Sequence, residues 1–483
     1  MELNIQPILP EIFICAMACV ILVLDLYLKP ERRTIAYVLT VMTLLVAAAL
    51  YWQDFATGSA VYLNGMFIKD RFSDVVKIAI CLLSLLVFVY SREYIKARDL
   101  FLSEYFVLGL FAVLGMMVMV SAGHFLALYL GLELLSLSLY AMVAFQRDSS
   151  VATEAAMKYF VLGALGSAML LYGMSIIYGL TGSLDISVVR GIVAEQAAPD
   201  NVILVLGLVF ILVSLAFKIG AVPFHMWVPD VYHGAPTSST LFVSTAPKLA
   251  GFAIIIRLLV GGLEDLHFMW RDMLIVLAVL SMLLGNLIAI AQTNFKRMLA
   301  YSAISHMGFM LLGILAGTPN GYSAGLFYGL VYTFMGLGGF GIVVLLSRAG
   351  YEADELDDLR GLNQSHPWYA FLILIFMFSM AGVPPTIGFF AKLSVIQAVI
   401  DVELTWLAVI AVLFAVIGAF YYLRVIKLVY FDPPAVAARE ISAAADLRVL
   451  LSANAVALVL LLPMVGPIQE MCTQAIASVV GAF

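Results

Sequence analysis

Three features of the sequence predict an all-α polytopic membrane protein. The chain is 64% hydrophobic and only 12% charged, whereas soluble domains carry about 25% charged residues. Its apolar residues come in repeated runs of about 20, the length a helix needs to cross the hydrocarbon core. Two of these runs are interrupted by proline and carry a lysine. Broken helices with intramembrane charge mark an ion path more often than a structural core.

Taken in order, the runs predict about fourteen spans, at 8–28, 34–52, 74–90, 101–119, 123–145, 155–179, 202–228, 238–262, 271–291, 297–317, 322–347, 367–400, 404–429 and 448–466. The first run is long enough to span and lacks a basic leader, so no cleavable signal is expected. Connections after odd-numbered spans, with the adjoining span ends, hold fifteen Lys and Arg residues, and those on the other side hold four (Lys69, Arg71, Arg190 and Arg271). By the positive-inside rule both termini lie outside the cytoplasm. Lys77 and Arg257 fall near span ends, where snorkelling is open to them. The 53–73 connection is long enough for a small outer hairpin, with weak strand character over Tyr62 to Phe67. The acidic 348–366 connection reads as a solvated inner loop. The 430–447 linker runs along the inner surface, and its composition leaves an interfacial helix open. The four cysteines lie in or beside apolar runs without metal-ligand spacing, and read as small apolar residues.

Span seven breaks at Gly220-Ala221-Val222-Pro223 and span twelve at Ala381-Gly382-Val383-Pro384. The second break falls five spans after the first. An odd number of spans per repeat inverts the second copy, so two inverted five-helix repeats are expected. The chain then divides into an N-terminal three-helix segment (1–100), a first repeat (101–262), a second repeat (271–429) and a linker with the last helix (430–483).

The candidate functional residues are ionisable groups inside spans. A charge at the bilayer centre costs about 2.5–3.5 kcal/mol on insertion scales. Lys218 and Lys248 flank the first break, Lys392 follows the second, and Glu133 sits mid-span in FLALYLGLELLSLSLYAMVAF. A carboxylate and an ammonium brought together hold their charges, and moving one changes the proton affinity of the other. That makes a switchable proton site. A static ion pair locking two helices is the alternative. An imidazole such as that of His306 can titrate near neutrality and relay a proton, or it simply bonds two helices. His225 follows Lys218 by seven residues, on nearly the same helical face if Pro223 does not rotate it. Lys158 enters span six near its inner end and is equally placed to snorkel. His233, in the inner loop, is expected to be solvated. There is no Walker loop, dinucleotide fingerprint or cysteine cluster, so no cofactor or redox centre is expected in this chain, and no nucleic acid as partner.

The strings VPFHMWVPDVYHGAPT (222–237), STAPKLAGF (244–252), KRMLAYSAISHMG (296–308), DDLRGL (357–362) and AGVPPTIGFFAK (381–392) resemble those of a known family. It is the antiporter-like membrane subunits of respiratory complex I, the proton-pumping NADH:quinone oxidoreductase. Within it they are most similar to the subunit N branch, called subunit 2 in mitochondria and plastids. The resemblance implies fourteen helices, two inverted repeats and a hydrated polar axis. It implies that Glu133 and Lys218 form an ion pair, that Lys248 connects the halves and that Lys392 serves the exit side. Lys158, His225 and His306 match polar positions less firmly tied to function. It also implies FMN, iron–sulfur clusters and quinone in partner subunits, other membrane-arm subunits as neighbours, and a bacterial plasma membrane. A cation/proton antiporter subunit of the Mrp type and a structural membrane-arm scaffold are the rival expectations.

Overall fold

A computed structural model describes residues 5–29, 32–55, 58–197, 201–347, 349–434, 441 and 444–480. Residues 435–440, 442 and 443 of the linker, Arg439 among them, lie outside the described residues, as does Arg348. The helices are α1 (Leu9–Asp25), α2 (Thr34–Gln53), α3 (Arg71–Lys96), α4 (Ser103–Val120), α5 (Phe125–Val143), α6 (Ser150–Thr181), α7 (Ile186–Gln196), α8 (Val202–Ile219), α9 (Trp227–Gly234) and α10 (Thr237–Val243). They continue as α11 (Ala246–Ile255), α12 (His267–Ala291), α13 (Phe295–Leu315), α14 (Pro319–Leu346), α15 (Leu362–Ser365), α16 (Pro367–Ala381), α17 (Ile387–Asp401), α18 (Thr405–Tyr430), α19 (Ala445–Leu460) and α20 (Val465–Val480).

Among the described residues twelve helices are long and apolar enough to cross a membrane, or thirteen if the bent pair α19–α20 is one span. The expected span 367–400 accounts for the difference from fourteen. It is two fifteen-residue helices, α16 and α17, each short of a full crossing. Besides the one-turn α15, two longer helices were not foreseen. The connection 180–201 contains α7, capped by Asp185. Beyond the last expected span the chain bends by 60° and continues as α20, which returns to α3 through Arg71 Nη1 to Gln474 Oε1 at 2.8 Å.

The bundle has a buried centre and an exposed rim. The segments Thr237–Gly262 and Phe295–Leu315 are 94% buried over their most apolar stretch, against 39% for α6 and α18. Close approach of backbones places the helices around this centre. A Cβ on Gly115 would lie 2.6 Å from the Gly131 carbonyl, and one on Gly285 would lie 2.7 Å from the Ser305 nitrogen. Small residues at such crossings let α4 meet α5 and α12 meet α13 at backbone distance.

The small hairpin forms, but its strands flank the expected stretch. Strands β1 (Ala60–Tyr62) and β2 (Phe67–Lys69) pair antiparallel, with Ala60 opposite Lys69. Leu63, Asn64 and Gly65 turn the chain with positive φ. Asp70 follows directly and caps α3 in a reciprocal capping box with Ser73.

Lys77 and Arg257 do not snorkel. Lys77 is buried and donates to Glu11 Oε1 at 2.5 Å. Arg257 forks onto Asp70, 2.7 Å from Oδ2 and 2.9 Å from Oδ1, with both side chains fully buried. Its Nε donates to the Val120 carbonyl, so one guanidinium ties three elements together.

Candidate functional site

The site is built on the two broken helices. α8 ends at Ile219 because Gly220 takes a left-handed conformation, φ 79°. α16 ends at Ala381 because Gly382 does the same, φ 82°. Proline follows each glycine and cannot donate a backbone hydrogen bond. The last carbonyls of each helix therefore need other donors, and lysines supply them. Lys248, on α11, donates to the Ile219 carbonyl at 2.8 Å. Lys392, on α17, donates to Met380 and Ala381, both at 2.9 Å. Each ammonium also lies over aromatic rings: Lys248 is 4.9 Å from Trp227, and Lys392 is 5.2 Å from Phe309.

Lys218 donates to Ser136 Oγ at 2.9 Å and Ser167 Oγ at 3.2 Å. The Glu133–Lys218 ion pair implied by the resemblance is not closed in this structure. No carboxylate lies within 4.0 Å of Lys218 among the described residues, and Glu133 Oε1 is buried without a hydrogen-bond partner. Ser136, one helical turn beyond Glu133, takes the Lys218 hydrogen bond instead. Glu133 still interacts electrostatically with Lys218. Lys218 and Lys248 line one internal cavity of about 30 Å³, with Ser136, Tyr159 and Trp227. A site needs about 10–15 Å³ to hold a water, so there is room for water in the cavity that both lysines line.

His306 is buried on α13. Its Nδ1 faces the Tyr328 hydroxyl at 2.7 Å and its Nε2 the Tyr422 hydroxyl at 3.1 Å. His225 does not extend the face of Lys218, because the helix stops six residues before it. It lies buried in the break, with Nδ1 unpartnered. Lys158 stands apart from the row. It is exposed and paired with Asp230 at 2.8 Å and Glu154 at 2.9 Å.

The acidic loop is more than a solvated connection. Glu352 accepts from Arg98 at 2.6 Å and Tyr94 at 3.0 Å, and from the Thr237 hydroxyl. Buried Lys296 lies 3.7 Å away. Burial works against the charge on Glu352, but Lys296, Arg98 and the two hydroxyls outweigh it and hold the carboxyl below the usual range. His233 is half-buried, 3.8 Å from Asp354. These groups surround a cleft of about 520 Å³, opening on the side that carries most of the basic residues. Nothing in the loop's sequence signals this, since its partners lie 56 to 258 residues away.

A family model described as "NADH:quinone oxidoreductase/Mrp antiporter, TM" matches residues 122–418, which include both breaks. The chain belongs to that family. Its relatives extend the likeness over the whole length. The NADH-quinone oxidoreductase subunit N of Thiobacillus denitrificans is 59% identical, over 99% of this chain and 98% of that one. That of Acidithiobacillus ferrooxidans is 53% identical over 98% of each. Among solved structures, a chain of respiratory complex I from Thermus thermophilus superposes with TM-score 0.81 at 30% identity, covering 95% of this chain and 98% of that chain. A chain of the Mrp complex from Dietzia superposes with TM-score 0.85 at 22% identity, over 98% and 97%. At that identity the likeness speaks for the shared antiporter-like fold alone.

Proposed function

We propose that this member of the NADH:quinone oxidoreductase/Mrp family is the proton-translocating subunit N of a bacterial complex I. Electron transfer from NADH to quinone takes place in partner subunits, which hold the FMN, the iron–sulfur clusters and the quinone. Other membrane-arm subunits are its neighbours. It resides in the inner membrane with both termini on the outer side, and its two broken helices are equivalents in two inverted five-helix repeats. As part of that assembly it is a translocase subunit and carries no redox centre itself. The subunit N relatives, at 53–59% identity, make the Mrp-type antiporter the weaker reading.

The observation that carries this reading is the row of three intramembrane lysines that have no carboxylate partner among the described residues. Among the described residues, the hydrogen bonds of Lys218, Lys248 and Lys392 go only to hydroxyls and backbone carbonyls. Each can give up a proton without stranding a counter-ion. Glu133, close by but not in contact, is the movable charge. Brought to Lys218 it holds the proton there, and its withdrawal releases it. The cavity shared with Lys248 gives the proton its first step, and Lys392 its last.

Replacing Lys218 with methionine in the assembled complex tests this. NADH oxidation should continue with fewer protons moved per electron. Normal assembly with an unchanged ratio would remove the site from the mechanism.

A further inference from the structure

We propose that Tyr422 and Tyr328 carry protons into and out of His306, making a second relay that runs from the basic face of the protein to Lys392. This inference rests on the proton-translocation reading above.

His306 has a tyrosine hydroxyl on each ring nitrogen, at 3.1 Å and 2.7 Å. A neutral imidazole donates from one nitrogen and accepts at the other. A hydroxyl does both, so either tautomer is satisfied here. The two tyrosines lie on opposite sides of the ring. Tyr422, near the basic end of α18, is also bonded to Ser302 Oγ, one turn closer to the start of α13. Tyr328 stacks on Phe309 at 6.2 Å between ring centres, and Phe309 is the ring under the Lys392 ammonium. His306 and Lys392 are close enough for their charges to repel. All these side chains are buried.

Next to Tyr422 the network is anchored. Tyr421 donates to Asn286 Oδ1 at 3.1 Å, and Asn286 Nδ2 donates to the Phe414 carbonyl at 2.9 Å. The amide is thereby oriented with its oxygen toward Tyr421. Gly418 makes room for the amide, since a Cβ there would sit 2.7 Å from Asn286 Oδ1. Arg424, one turn further, bonds the carbonyls of Ile290 and Gln292 at 2.8 Å each. This places the anchor near the basic-face ends of α12 and α18.

A transfer balances as follows. Tyr422 gives its hydroxyl proton to His306 Nε2 as it takes one from Ser302. His306 gives its Nδ1 proton to Tyr328, and Tyr328 passes its own on, with the unprotonated Lys392 amine as final acceptor. Ser302 is reprotonated from the basic face. The ring is left in its other tautomer and is reset by a flip. Asn286 is a positioning residue in this scheme.

The experiment uses the whole complex in sealed membrane vesicles, reading protons pumped per NADH and the solvent deuterium effect on turnover. Tyr422→Phe and Tyr328→Phe keep the buried rings and remove only the hydroxyls. Each should assemble normally and lose as many protons per NADH as Lys392→Met, with Asn286→Ala losing fewer. Ser302→Ala removes a hydroxyl from the same chain and serves should a tyrosine variant fail to assemble. If the hydroxyl variants pump like the unaltered complex while Lys218→Met and Lys392→Met do not, the relay is wrong and the wider reading stands. If Lys218→Met also pumps normally, both fall.

Discussion

The two helix breaks use the same local chemistry and differ in where the lysine comes from. At the first, the freed carbonyl of Ile219 is bonded by Lys248, from the next span. The lysine on the broken helix itself, Lys218, faces two serines instead. At the second, a single lysine from the continuation of the same helix, Lys392, bonds two freed carbonyls. The first break therefore has an ammonium that is free of the backbone, close to Glu133. The second has its ammonium built into the helix end, with a histidine flanked by tyrosines nearby. Separating the capping role from the proton-exchanging role is what a switch requires. Combining them suits a terminus that only receives.

This contrast can be broken by substitution. The largest effect is expected at the caps. Lys392→Met orphans two buried carbonyls and Lys248→Met one, at about 1–3 kcal/mol for each unsatisfied group. Thermal unfolding in detergent should show the Lys392 variant to be the less stable of the two. Equal losses would mean that the carbonyls find other donors, and the difference between the breaks would disappear.

Glycine replacement should reverse the order. An alanine in the left-handed region costs about 1–2 kcal/mol at either site. At Gly220 the new Cβ would also meet Val228 Cγ2 at 2.5 Å, whereas at Gly382 it meets Lys392 Cδ at 2.8 Å. A branched valine has little freedom to move aside, and a lysine chain has more. Gly220→Ala should lower the unfolding temperature further than Gly382→Ala. The opposite result would show that the lysine, not the valine, is the rigid partner.

The smallest effect lies at Glu352, where the 348–366 connection joins α3, α10 and α13. Its carboxyl is held below the usual range in the folded protein. The stability it contributes is thus fully present above the unfolded glutamate value of about 4.3, and is lost as pH falls from there through the folded value. Unfolding temperature measured across that window should drop more for the unaltered protein than for Glu352→Gln. Identical profiles would remove Glu352 from the junction.

Local signals in the sequence located the breaks and the lysines, because Gly, Val and Pro side by side stop a helix wherever they occur. Charge inside an apolar run is likewise visible without knowing its surroundings. What stayed hidden depends on partners distant in the chain. Arg257 looks like a span-end residue able to reach water, until Asp70 is brought to it from 187 residues away. Glu352 looks solvated until Arg98 and Lys296 close on it. Tyr421 and Tyr422 read as ordinary span residues, since an aromatic in an apolar helix says nothing about what its hydroxyl meets. α20 was missed for a different reason. Its start, Val465–Glu470, carries glycine, proline and a charge, which reads as an end and proves to be a bend.

The fork between Arg257 and Asp70 sets an order on how the protein is made. Asp70 leaves the ribosome 187 residues ahead of its counter-charge, and in the finished fold it has no access to solvent. The start of α3 must therefore wait, hydrated or lent to another donor, until the eighth crossing has been synthesised. Only then can the early helices be sealed.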